Sequence, residues 1–210
     1  CMLNDIQKCS IAYSFGICDD ISWDEYIADN NVEVYCYDHT IDALPHENSH
    51  LHFRKIGIGA EDDLRAGLLS FDSILKLNGH RKESGMILKM DVEGAEWSVI
   101  RDVPQDILSL FSQIIFEFHH VSTPFFLNFQ ESLSVFEKLN RTHQVIWIHA
   151  NNFDVAEELD GITIPNTLEI TYASKCEYKF EQTEYSCPLS IDEPNYRIKS
   201  DFELKNFGDI

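Results

Sequence analysis

Basic residues are scarce in this sequence. Sixteen Lys and Arg stand against thirty-six Asp and Glu in 210 residues, a formal charge of −20 spread along the chain rather than gathered in a tail. A field of that sign repels phosphate backbones, so nucleic acid is not an expected partner. Arg54, Lys55, Arg65, Arg81 and Lys82 give the only hint of a basic patch. Apolar runs are short too. None approaches the ~20 residues of a membrane-spanning helix, and no membrane partner is expected for the chain as given. The six cysteines include no C-x-x-C pair and the histidines show no zinc-finger spacing, which argues against a structural zinc site. No internal repeat or low-complexity tract is present, and no G-x-G-x-x-G occurs.

The remaining composition, 44% hydrophobic with 12% aromatic residues, is that of a globular chain, and the length suits one sizeable α/β domain. That domain is expected over residues 1–172. Residues 173–210, polar and broken by Pro188 and Pro194, are expected to form an irregular C-terminal extension. The chain begins with Cys1 rather than Met and shows no charged-then-apolar leader, so it reads as processed or trimmed. Cys18 and Cys36 fall in an expected loop and strand, where thiols pack as small hydrophobes. Cys176 and Cys187 flank a polar segment and could close a disulfide loop. With the glycosylation sequon Asn140-Arg141-Thr142, they lean the location toward the secretory pathway over the cytoplasm.

Periodicity supplies the elements. Strands are expected at Ser10 to Phe15, Glu33 to Tyr37, Leu51 to Ile58, Met86 to Met90, Gln113 to Phe118, Val145 to His149 and Leu168 to Tyr172. Helices are expected at Ile21 to Ala28, Leu64 to Leu75, Ala95 to Ile100, Ile107 to Phe111 and Leu133 to Leu139, with Asn78-Gly79 a stop signal. This alternation predicts a mostly parallel seven-stranded sheet with helices on both faces.

In such sheets ligands sit beyond the carboxyl ends of the strands. The first strand ends at Ser14-Phe15-Gly16, where a glycine lets backbone approach a ligand, though alone it is as readily a turn residue. Asp38 ends the second strand roughly twenty residues after Gly16, the separation at which an acid meets ribose hydroxyls. Asp91 and Glu93 follow the fourth strand. Two acids facing one cleft repel each other unless they hold a cation, a proton or substrate hydroxyls. Glu117, His119 and His120 follow the fifth strand, and His149, Asn151 and Asn152 the sixth. Any one histidine is more often structural than catalytic, but three successive strand ends carrying such groups would converge on one cleft.

On these residues the chain resembles the FkbM-type methyltransferases and, more closely, an animal methyltransferase-like branch. The resemblance runs from about Ile11 to Tyr172. It is strongest at Leu88 to Trp97 (LKMDVEGAEW), with support at Tyr13 to Asp20, Tyr37-Asp38, Leu69 to Leu75 and His149 to Asn152. It implies a Rossmann-like class I fold with an antiparallel last strand and S-adenosylmethionine as cofactor. Ser14, Phe15 and Gly16 would form the cofactor loop, Asp38 would meet ribose, and Ile58 and Gly59 would flank adenine. The departure is Cys18, where a glycine is common. The resemblance further implies methyl transfer to a hydroxyl of a small molecule or glycan. His119 is the first candidate for general base and His149 the second, with Asp91 or Glu93 orienting. A metal is not expected, although Asp91 and the residues after the fifth strand resemble the magnesium ligands of catechol O-methyltransferase. Two other readings stay open: a non-catalytic binding or scaffold protein on the same fold, and a nucleotide-sugar or dinucleotide enzyme, the latter disfavoured by the missing glycines. The oligomeric state is left open.

Overall fold

A computed structural model describes residues 5–122, 129–159, 162–181, 187–190 and 192–204. After a short 3-10 turn at Ile6–Lys8 come β1 (Ile11–Phe15), α1 (Ser22–Asp29), β2 (Glu33–Tyr37), β3 (Leu51–Arg54), β4 (Gly57–Gly59), β5 (Leu68–Ser70), α2 (Phe71–Asn78) and β6 (Met86–Met90). Then follow α3 (Glu96–Asp102), α4 (Gln105–Leu108), β7 (Phe111–Phe118), α5 (Phe129–Asn140), β8 (His143–Ala150), β9 (Ala156–Leu159), β10 (Ile162–Pro165) and β11 (Leu168–Ser174).

Seven strands form one sheet in the order β3-β2-β1-β6-β7-β11-β8. Strands β3 to β7 in that order pair parallel, and β11 runs antiparallel to both β7 and β8. This is the expected Rossmann-like sheet, with the order reversing between β1 and β6, where the doubly wound rule places a ligand.

Alternation along the strands divides the core. Tyr13 and Phe15 of β1 face an aromatic cluster with Tyr37, Phe71, Phe111 and Phe116, covered by α2, α3 and α5. Ala12 faces the other side with Val34, Cys36 and Ile87, covered by Ile27 and Ala28 of α1. Each fully buried phenylalanine contributes about 1.5–3 kcal/mol of burial.

Two expected elements are corrected. The strand expected at 51–58 is two strands, because Ile56 N–H turns back onto Arg54 O at 2.8 Å, and β4 then pairs with β5 instead of the main sheet. The helix expected from Leu64 begins only at Phe71. Asp63 accepts from the amides of Arg65 and Ala66, Asp62 accepts from that of Ser70, and Gly67 takes φ +73°, so the chain is held in a turn. Ser70 then caps α2 through Ser73 N–H, and Gly79 closes it in the left-handed conformation. Local side-chain bonds to backbone amides thus override apolar spacing.

The β9-β10 hairpin was not expected from the sequence. No disulfide joins Cys176 to Cys187. Both are free thiols, Cys187 buried with its Sγ donating to Ile148 O at 2.6 Å. Cys1 lies outside the described residues. Beyond β11 the described segments carry no helix, yet they pack back on β8: Cys187 bridges Leu204, and Asp192 accepts from Trp147 Nε1 at 3.0 Å.

Candidate functional site

The carboxyl ends of β1, β2 and β6 meet around one glycine. Gly16 has φ +79°, and a Cβ built there would fall 1.5 Å from Asp91 O and 2.6 Å from Asp91 C. No side chain fits between the loop after β1 and the end of β6. Gly16 N–H donates to Tyr37 O at 3.1 Å, and Asp91 N–H donates to Phe15 O at 2.9 Å. Backbone bonds thus tie the loop to both neighbouring strands.

Asp38 adds a tie from the side. Its Oδ2 accepts from Ile17 N–H (2.9 Å) and Cys18 N–H (3.0 Å), and its Oδ1 from Thr40 N–H (2.7 Å) and Thr40 Oγ1 (2.6 Å). Burial alone would raise this carboxyl, but the four bonds outweigh it and hold the group at about 2. A carboxylate has about four acceptor positions, and all are used within the chain. Asp38 thus lies at the cofactor loop as expected, but it organises the loop amides instead of presenting free oxygens. The side chains of Ser14 and Phe15, expected at the cofactor, are fully buried in the two core layers. Gly16 is the member of that trio at the loop surface. Ile58 likewise points into the aromatic core, and Gly59 lines a 170 Å³ cavity with Phe71, Val99 and Val103. The strand that carries them starts beside Asp38, since a Cβ on Gly57 would meet His39 Nδ1 at 2.6 Å.

After β6 the segment Asp91-Val92-Glu93-Gly94 folds around Glu96. Glu96 is completely buried, with Oε1 accepting from Val92 N–H (2.8 Å) and Oε2 from Gly94 N–H (2.9 Å). Oε1 also meets His119 Nδ1 at 3.2 Å. Glu96 thereby sets both the turn and the ring that faces it. Glu96 was not among the candidate site residues of the sequence, and its three-way bonding carries no local signal. Gly94 (φ +104°) packs on His120, whose Cδ2 would lie 3.0 Å from an added Cβ. Cys18, Glu93 and His120 also sit at positive φ, at 51°, 54° and 61°. Strain of this kind gathers at functional sites. Cys18 thus holds a left-handed conformation that a glycine would adopt more readily.

His119 Nε2 points toward Glu93 Oε2 at 3.5 Å and Asp91 Oδ1 at 3.9 Å. Burial pulls this imidazole down, but the Glu96 bond and the charges of Glu96, Glu117 and Glu93 prevail and raise it to about 9. The carboxylates around it thus favour the imidazolium form. Glu117 is pushed up to about 7 by burial and by the Asp91 charge, against a 2.7 Å bond from Asn151 Nδ2. Burial raises Asp91 as well, opposed by Lys89, His119 and a hydrogen bond with Glu117. Two carboxyls, one near neutrality, and an imidazolium form one titrating set. Ligand atoms of Asp91, Glu93 and His119 also lie within 4.8 Å of one another, a donor set that could accept a divalent transition ion.

His149 is not part of this set. It is buried, its Nδ1 pairs with Glu169 Oε2 and its Nε2 with Asp201 Oδ2, both at 3.2 Å, and Asn195 braces Glu169 at 2.6 Å. With both ring nitrogens occupied by carboxylates it ties the C-terminal segment to β8.

Comparison with known proteins adds three findings. Residues 3–148 match the family model described as the methyltransferase FkbM domain. Over 124 residues the chain is 32% identical to methyltransferase-like protein 24 of Homo sapiens, covering 54% of this chain and 33% of that protein. The chain therefore spans about a third of the length of this curated relative. Among solved structures, a Listeria monocytogenes protein assigned as an S-adenosylmethionine-dependent methyltransferase is similar with a TM-score of 0.46 and 12% identity, covering 83% of this chain and 94% of that one. The N-methyltransferase NodS of Bradyrhizobium japonicum is similar with a TM-score of 0.40 and 10% identity, over 79% and 85% of the two chains. Likeness of this degree says nothing of acceptor or chemistry.

Proposed function

The chain belongs to the FkbM methyltransferase family, and from that premise we propose that it transfers a methyl group from S-adenosylmethionine to a hydroxyl of a small molecule or glycan. The observation that carries this reading is the contact of Gly16 with Asp91. The cofactor loop and the acid cluster share that contact, so a methyl donor over the loop would lie beside the groups that handle a proton.

The residues present fit the cofactor. Gly16 lets the loop close onto the Asp91 backbone, where any Cβ would clash, and Asp38 fixes the amides of Ile17 and Cys18 beside it. When bound, S-adenosylmethionine supplies an electrophilic methyl group on a sulfonium. The chain's own part is to orient the acceptor oxygen and remove its proton. Glu117, held near neutrality by burial and Asp91, takes that proton, since a base works best when its pKa lies near ambient pH. Asn151 fixes the Glu117 carboxyl through Oε1, and the His119 imidazolium offsets the negative charge that builds on the acceptor. Glu96 keeps that imidazolium in place.

The test is calorimetry with S-adenosylhomocysteine, followed by incubation with methyl-labelled S-adenosylmethionine and a panel of hydroxylated small molecules and glycans read by mass spectrometry. An O-methylated product with equimolar S-adenosylhomocysteine is expected. A folded protein that binds the cofactor and modifies only nitrogen acceptors would overturn the hydroxyl assignment. One that binds no cofactor would favour the scaffold reading.

A further inference from the structure

We propose that Lys89 binds the carboxylate of the methionine portion of S-adenosylmethionine, an inference that rests on the cofactor reading above. β6 is a central strand, flanked by β1 and β7. Strands buried on both faces are normally apolar throughout, and an ammonium there carries a desolvation cost. Lys89 breaks the run Met86-Ile87-Leu88-Lys89-Met90 one residue before its end, opposite Ser14 in the register of β1. It is half-buried, and its Nζ donates to Gly16 O at 3.1 Å. The cation thus lies directly against the carbonyl of the loop glycine.

An ammonium has three donors, and this bond uses one. Among the described residues Lys89 forms no ion pair; Asp20, Asp24 and Asp91 feel its charge without an ion-pair contact. Asp24, completely buried in α1, is one of these acids, but burial holds its carboxyl above the usual range and it accepts from the Cys36 thiol at 3.6 Å. The surroundings of the loop are otherwise acidic: Asp19, Asp20, Asp38, Asp91 and Glu93 follow strand ends, and Glu117 is the last residue but one of β7. A cofactor that brings its own carboxylate into that field needs a cation beside the loop, and Lys89 is placed to supply it. The simpler role, pinning the Gly16 loop through its carbonyl, predicts equal importance for every ligand of the loop. Recognition of the carboxylate predicts importance only for ligands that carry one.

The experiment compares two ligands by titration calorimetry on the chain as given: S-adenosylhomocysteine, which has the carboxylate, and 5′-methylthioadenosine, which lacks it. Lys89→Met should weaken S-adenosylhomocysteine about ten- to a hundred-fold, as expected for a lost charge-assisted bond, and leave methylthioadenosine within about twofold. Lys89→Arg should retain most of the affinity for S-adenosylhomocysteine. Equal losses for both ligands, or no loss for either, would overturn the proposal in favour of loop support or no role. If Lys89→Met does not fold, the wild type decides: added salt should weaken S-adenosylhomocysteine and spare methylthioadenosine, and equal salt dependence overturns the proposal. Wild-type protein that binds neither ligand overturns the cofactor reading itself, a failure seen before any variant is made.

Discussion

Replacing Gly16 by alanine probes the contact on which the site is built. The new Cβ would lie 1.5 Å from Asp91 O and 2.6 Å from Asp91 C, and both are backbone atoms of the end of β6, so no rotamer change relieves the overlap. The backbone at φ +79° adds the left-handed penalty of about 1–2 kcal/mol for a residue with a Cβ. Overpacking against a fixed neighbour typically adds about 1–3 kcal/mol. The sum, about 2–5 kcal/mol, corresponds to a melting temperature roughly 4–20 °C lower for a domain of this size. Because the loop must move to admit the methyl group, the bonds Gly16 N–H to Tyr37 O and Lys89 Nζ to Gly16 O open together, and S-adenosylhomocysteine should bind at least tenfold more weakly. Thermal denaturation by circular dichroism and titration calorimetry measure the two effects. Cys18→Gly is the matched control: it relaxes φ 51° but adds unfolded-state freedom, so its stability should stay within about 1 kcal/mol of wild type. A Gly16→Ala protein that melts within 2 °C of wild type, roughly the resolution of such assays, and binds the cofactor normally would refute the close approach of loop and strand.

Three further outcomes are expected. Glu117→Gln should cost roughly a hundred- to ten-thousand-fold in turnover and abolish the acid limb near pH 7, with cofactor affinity kept; an unchanged pH–rate profile would place the base elsewhere. His119 and His149, both raised to about 9, should each contribute up to about 3 kcal/mol of stability that is complete below an unfolded value near 6.5 and lost as pH rises through 9, while Asp38, depressed to about 2, contributes stability present above about 4 and lost as pH falls through 2. Urea midpoints measured across pH 2–10 check both signs, and a midpoint that climbs between pH 7 and 9 would contradict them. His149→Gln should speed proteolysis of the segment beyond β11 and leave cofactor affinity unchanged, whereas loss of cofactor binding would return His149 to the site.

A mostly parallel seven-stranded sheet was legible in the sequence because alternation and apolar runs report burial directly, and burial drives sheet formation. Gly16, Asp38, Asp91, Glu93 and His119 were legible for a related reason: strand ends mark where a doubly wound sheet exposes its ligand edge. The turn at 64–67 was not legible, since it depends on Asp62 and Asp63 finding amides that a helical spacing pattern does not reveal. Nor were the charge states. Whether an imidazole is a base or a cation depends on which carboxylates the fold sets around it, and those of Glu96 and Glu117 lie 23 and 2 residues away in sequence. The same holds for Asp38, whose oxygens are used by Ile17, Cys18 and Thr40, and for His149, whose partners Glu169 and Asp201 come from a neighbouring strand and from the C-terminal segment. Sequence determined which residues reach the carboxyl edge of the sheet, because apolar runs and the polar residues that break them mark where each strand ends. Tertiary structure alone decided what each of them can do there, because hydrogen bonding and pKa depend on distances between segments far apart in the chain.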